Sequence, residues 1–155
     1  MRWKVFPVLI VLLLSVASFG QSQDPSRHSN LDKNKLALKG YDPVSYFDAS
    51  RPSKGQDAIT AEYQGAVYRF SSEDNRKKFL ESPAKFAPEY GGWCAKAIAD
   101  KEFVDIDPLN FKITGGRLFL FYKGLFGDAL QIWNKDEANM TRRADDNWKK
   151  IVAEK

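Results

Sequence analysis

Thr60-Ala61-Glu62-Tyr63-Gln64-Gly65-Ala66-Val67-Tyr68-Arg69-Phe70-Ser71 is the stretch on which the fold turns. Its residues alternate around Gln64-Gly65, a pair suited to a tight turn. This predicts a β-hairpin with arms near Ala61–Tyr63 and Ala66–Phe70. Ser71 then stands where a hydroxyl can cap a helix, with Asp74 placed for a capping box. That helix runs to about Ser82, turns Phe79 and Leu80 inward, and stops before Pro83.

Downstream, residues 84–90 read as a short helix or turn that buries Phe86 and Tyr90. Gly91-Gly92 breaks the chain, and a new helix starts at Trp93 and reaches Asp100. Asp105-Ile106-Asp107-Pro108 makes a turn. Phe111–Ile113 and Leu118–Tyr122 flank Thr114-Gly115-Gly116-Arg117, giving a second hairpin. The rest is helical: a piece near Leu125–Trp133, then Lys135–Val152, where Met140, Ala144, Trp148, Ile151 and Val152 recur at helical spacing. Upstream, residues 38–47 form an extended segment and turn that sends aromatics into the core, and 49–57 form a loop. The expected class is α+β, with small antiparallel hairpins packed against several short helices in a single domain.

The N-terminus reads differently. Arg2 and Lys4 precede an apolar run from Val5 to Ala17, and Ser18-Phe19-Gly20 supplies small residues for a cut. Residues 1–20 therefore read as a secretory signal peptide, and the mature chain as extracytoplasmic, periplasmic or secreted. The run falls short of the ~20 residues of a membrane span, so no stable span is expected. Residues 21–35 are polar and read as a disordered leader containing the single His28, which receives no role. Residues 36–152 form the domain, with a C-terminal helical extension.

Composition narrows the function. The 155 residues carry 24 Lys and Arg, 20 Asp and Glu, one His and one Cys, a net charge of +4. Signal cleavage removes two of those cations and no anion. The remaining basic residues are interleaved with acids, and only Arg76-Lys77-Lys78 clusters, on what reads as a solvated helix face. A nucleic-acid partner is not expected. One Cys allows no internal disulfide and no multi-cysteine zinc site. Without a His in the folded part, a Cys–His hydrolase has no base.

Cys94 is the one residue with strong reaction potential. It follows Tyr90-Gly91-Gly92-Trp93, and a helix start at Trp93 places its sulfur among unpaired N–H groups, with Lys96 adding positive charge. A thiolate there attacks disulfides or binds soft metal. The same residue can equally be a small buried hydrophobe. Asp42, Asp105 and Asp107 sit beside Pro or turn residues and read as turn caps rather than as acid–base pairs.

Gly40-Tyr41-Asp42-Pro43-Val44-Ser45-Tyr46-Phe47, Glu62-Tyr63-Gln64-Gly65 through Tyr68-Arg69-Phe70, and Asn75 with Phe79, Pro83 and Phe86 resemble the YHS domain. Tyr90-Gly91-Gly92-Trp93-Cys94-Ala95 and Asp145-Asp146-Asn147-Trp148 resemble an exported branch of that family. The resemblance implies metal binding by cysteines, but Ser45, Ser71 and Asn75 stand where that family carries them, and the Tyr-His-Ser triplet is absent. In some members of the exported branch selenocysteine stands at the place of Cys94, which implies redox or soft-metal chemistry. The expectation is thus an exported YHS-domain protein with one functional thiol, Cys94, as candidate reactive group and candidate ligand for a copper-like soft metal ion. Its partner is an external thiol or metal donor, a second soft ligand comes from Met140, another chain or a small thiol, and full enzymatic activity is not expected. The alternative is a noncatalytic binding module for an apolar ligand or a protein, with Cys94 structural.

Overall fold

The computed structural model describes Met1, Asp24 and residues 26–48 and 51–154. Apart from Met1, the expected signal peptide lies outside the described residues. Among the described residues no helix is long and apolar enough to cross a membrane.

The class is α+β. The first hairpin pairs β1 (Gln56–Tyr63) with β2 (Ala66–Phe70) in antiparallel register, Tyr63 opposite Ala66 across the Gln64-Gly65 turn. Gln64 and Gly65 both take positive φ, as a two-residue hairpin loop requires. On β2 the residues Ala66, Tyr68 and Phe70 alternate inward. Ahead of the hairpin, a one-turn helix α1 (Ser45–Asp48) follows the Asp42-Pro43 turn.

Helix α2 (Glu73–Glu81) starts one residue later than expected. Ser72, not Ser71, is the cap, its hydroxyl accepting from the Asn75 N–H at 3.2 Å. Ser71 is instead drawn to Asp42, as described below. Phe79 is fully buried against Tyr68 and Phe70. Leu80 is not: it is half exposed, because the adjacent position lies about 100° round the helix.

Short helix α3 (Pro83–Phe86) and a 3-10 turn over Glu89–Gly92 lead to α4 (Ala95–Ala99). The second hairpin pairs β3 (Asp107–Thr114) with β4 (Arg117–Phe121). Strand β4 is the centre of the core: Leu118, Phe119, Leu120 and Phe121 are all buried, so both faces are covered. Phe119 and Phe121 each meet Trp133 at 5.4 Å. Burying a side chain of this size contributes about 1.5–3 kcal/mol. The free edge of β4 is met by the 88–94 segment, with parallel bridges Pro88 to Leu118 and Cys94 to Leu120.

The region expected to be helical from Leu125 divides instead. β5 (Lys123–Gly124) and β6 (Gly127–Asp128) make a third, minimal hairpin whose tip presents Leu125 and Phe126 to solvent. Only then does α5 (Ala129–Trp133) begin, its first turn capped by the Asp128 carboxylate. Gly127 at φ 114° makes the hairpin turn possible, and that glycine was the overlooked signal. The long helix α6 (Glu137–Ala153) closes the body, burying Ala144 against α4, while Val152 stays 45% exposed.

The described part of the expected leader is ordered. Residues 26–36 form a strap over the body: Asn30 N–H donates to the Gly91 carbonyl at 2.8 Å, and Val67 N–H to the Lys35 carbonyl at 2.8 Å. Its polar side chains suggested solvation, and Asp32, Lys33 and Asn34 are exposed, but Arg27 bonds the Glu154 carbonyl and Asn30 bonds Gly92 and Asp105.

Candidate functional site

The approach to Cys94 is built from unusual backbone. Tyr90, Gly91 and Gly92 all have positive φ, at 53°, 60° and 84°. Glycine takes this region freely, whereas for Tyr90 it is strained by about 1–3 kcal/mol. Tyr90 is held there by burial and by its hydroxyl, which donates to Asp145 at 2.9 Å. Gly91 has a second reason: a Cβ there would stand 3.0 Å from Ser29 Cα in the strap. The strap also receives Trp93, whose Nε1–H donates to the His28 carbonyl at 2.7 Å.

Cys94 follows, 1% exposed, at the N-terminal boundary of α4. Its own N–H donates to the Val104 carbonyl at 3.0 Å, and its carbonyl accepts from Ile98. The sulfur makes no cap bond to α4. Its donor is the Tyr122 N–H, 3.3 Å away at the end of β4. The sulfur is thus held by an N–H at the strand end rather than by the helix start. Lys96 does not serve the sulfur: it pairs with Asp100 at 2.6 Å, which Arg143 also holds at 2.7 Å.

Beside the sulfur lies a cavity of about 290 Å³, lined by Cys94 together with Ala97, Val104, Tyr122, Phe126, Ala129 and Ile132. Lys96, Glu102 and Asp128 also line it, and two of the three are engaged elsewhere. Lys96 is engaged by Asp100, and Asp128 accepts from Asn110 at 2.9 Å and forms an ion pair with Lys123 at 3.6 Å. The Asn110 amide holds the Asp128 carboxyl below the ordinary range, against a smaller contribution from burial, so it stays charged. Phe126, 94% exposed and lining the cavity, marks its mouth. Sequence reasoning found the sulfur and missed these walls. The small residues Ala95, Ala97 and Ala99 were the available signal, since they let α4 pack closely while leaving space.

A second polar centre surrounds Asp42, which is fully buried. One carboxylate oxygen accepts from Val44 N–H at 2.9 Å, the turn role expected of it. The other accepts from Ser71 N–H at 2.8 Å, Ser71 Oγ at 2.7 Å and Asn75 Nδ2 at 2.7 Å. Ser45 donates to the Asp42 carbonyl and accepts from Ser53 N–H. Ser71 and Asn75 therefore meet at the Asp42 carboxylate, and Ser45 is bonded to the backbone carbonyl of the same residue. Their oxygen and nitrogen atoms are bonded to one another and offer no soft donor, so this centre does not fit a copper-like ion. Asp105 and Asp107 stay apart from it: each caps its own turn, bonding Ile106 N–H and Leu109 N–H.

Among the described residues no group of three or more His, Cys, Asp or Glu is placed to hold a metal ion. Met140 lies on α6, packed against the core, and does not line the Cys94 cavity. A third cluster ties Arg117 to Glu89 at 2.8 Å and to Asp145 at 2.7 Å. It pins the 3-10 turn, β4 and α6 together, and thereby the approach to Cys94. No family model, curated protein or solved structure matches this chain.

Proposed function

We propose that the chain is a binding module for a small apolar ligand, seated in the Cys94 cavity with the sulfur as part of its wall. The observation that carries this is the lining: Ala97, Val104, Ala129 and Ile132 surround a nearly inaccessible sulfur in about 290 Å³. That volume is at the small end of the ~300–1,000 Å³ typical of ligand pockets. Export after loss of residues 1–20 belongs to the same proposal, on the strength of the basic start and apolar run. So does descent from the YHS type, supported by Ser45, Ser71 and Asn75, which stand where that family carries cysteines and each bond Asp42.

The experiment uses the mature chain with indole and naphthalene as probes. Thermal shift and NMR should report binding by the wild type, loss of at least tenfold in affinity for Ile132→Lys, and affinity within about threefold for Cys94→Ser. No binding of either probe, or equal binding by Ile132→Lys, would remove this reading.

Thiol chemistry is the second reading, favoured by the Tyr122 N–H at the sulfur. In it the Cys94 thiolate attacks one sulfur of an external disulfide, a mixed disulfide forms, and the partner's other sulfur leaves as a thiolate. A second external thiol then reduces the mixed disulfide. Its mark is alkylation of Cys94 by iodoacetamide at a rate matching an exposed thiol. Protection comparable to the core amides would leave Cys94 a wall residue.

A further inference from the structure

A separate cavity of about 300 Å³ opens between the first hairpin turn and α6. Tyr63, Gln64, Tyr68, Glu89, Tyr90 and Trp148 line it, none of them part of the Cys94 cavity.

Tyr68 decides what it can hold. The residue is 6% exposed, its ring 4.9 Å from that of Phe79. Other buried tyrosines place their hydroxyls: Tyr46 donates to the Pro108 carbonyl at 2.9 Å and Tyr90 to Asp145 at 2.9 Å. The Tyr68 hydroxyl has no partner among the described residues. It is also not sealed from solvent, unlike the unpartnered His28 Nε2 and Trp133 Nε1. A buried tyrosine whose free hydroxyl still reaches solvent, and which lines a cavity, presents that hydroxyl to the cavity. Burial, and next the neighbouring Tyr63, raise its pKa, so it is a proton donor at any physiological pH.

Acceptors lie around it. Glu89 gives one carboxylate oxygen to Arg117 at 2.8 Å and keeps the other. Gln64 spends its amide N–H on the Tyr63 hydroxyl at 3.2 Å and keeps its carbonyl. Half-buried Tyr63 and Trp148 add aromatic surface. Donor, acceptors and aromatic rings together suit a ligand whose groups both give and take hydrogen bonds and whose C–H face lies on a ring. An organic cation suits the site less well, because the Arg117 guanidinium already occupies one Glu89 oxygen at 2.8 Å and sits 6.0 Å from the Tyr90 ring centroid. An apolar ligand would bury the Tyr68 hydroxyl and the free oxygen of Glu89 without partners, which is costly.

We propose that this cavity binds a neutral, ring-shaped polyhydroxylated ligand, a single saccharide unit, with the Tyr68 hydroxyl as donor and Glu89 and Gln64 as acceptors. It stands independently of any ligand at Cys94. The test is saturation-transfer NMR on the mature chain with glucose, galactose, mannose and N-acetylglucosamine, and with choline as the competing chemistry. At least one sugar should receive saturation, and Tyr68→Phe, which keeps the ring, should weaken it about five- to tenfold. Gln64→Asn, at an exposed turn position whose positive φ asparagine tolerates, should weaken it severalfold and serves if Tyr68→Phe fails to fold. No transfer to any sugar, unchanged affinity in a folded Tyr68→Phe, or binding of choline in place of the sugars would overturn the proposal.

Discussion

Replacing Asp42 by Asn tests the buried polar centre with almost no change of shape. Asparagine can keep the bond from Val44 N–H, but its NH₂ then faces three donors: Ser71 N–H, Ser71 Oγ and Asn75 Nδ2, now at 2.7–2.8 Å from a carboxylate oxygen. Each hydrogen bond to a charged acceptor contributes about 1.5–3 kcal/mol. The three are not additive, because Asn75 and Ser71 also bond each other at 3.2 Å and can relax together. A loss of about 3–5 kcal/mol follows, the range for breaking a buried charged network. With a urea m-value of about 2 kcal/mol/M, the midpoint should fall by about 1.5–2.5 M at unchanged m. Asn75→Ala leaves the Ser71 bonds in place and should cost about 1–2 kcal/mol, and the double variant should show coupling of at least about 1 kcal/mol. A midpoint for Asp42→Asn within 0.5 M of wild type, m unchanged, would refute the reasoning. The carboxylate would then be replaceable at the point where three segments meet.

The remaining tests concern the approach to Cys94. Burial raises the Asp145 carboxyl, but donation by Arg117 and Tyr90 outweighs it and leaves the group below its ordinary value. A carboxyl depressed in the folded state adds stability above its unfolded pKa of about 3.9 and loses it as pH falls through the folded value. Wild type should therefore lose stability below about pH 4 more steeply than Asp145→Asn, read as urea midpoints between pH 2 and 7; parallel curves would contradict this. Gly91→Ala should cost about 1–3 kcal/mol from its positive φ and more from contact with Ser29, and should speed amide exchange at Ser29 and Asn30. Gly116→Ala, at φ 75° with open space around it, carries only the backbone cost and leaves the strap's exchange unchanged.

Local patterns made the two hairpins legible. Gln64-Gly65 and Gly115-Gly116 are turn pairs between alternating runs, and both hairpins form where expected. The 125–133 stretch misled because Leu125 and Phe126 have helix-compatible, apolar side chains, while the one residue that forbids a helix there, Gly127, sits inside the run. The strap was missed for a different reason. Polarity predicts solvation only when no partner waits, and its partners, Gly91, Gly92 and Asp105, lie more than 60 residues away. The Asp42 centre is equally non-local. Its turn-capping oxygen could be read from Asp42-Pro43, whereas the oxygen that gathers Ser71 and Asn75 depends on how the hairpin returns.

The Gly91-Gly92 pair breaks the chain ahead of Cys94, and the geometry shows what the two glycines allow. Gly91 leaves room for the strap, the strap carbonyl of His28 holds Trp93, and Trp93 packs on Phe103 at 5.2 Å. Phe103 adjoins Val104, whose carbonyl takes the Cys94 N–H and whose side chain lines the cavity. A chain of contacts thus runs from residue 28 to the cavity wall without touching the sulfur. Glycine at 91 is required by the strap that crosses it and at 92 by a φ of 84°, and a fixed Trp93 is required to hold the wall. An exposed, mobile thiol would need neither. The local construction therefore favours a shaped cavity with a buried sulfur over a freely reactive cysteine, and any reagent that reaches Cys94 must be small enough to enter by the mouth at Phe126.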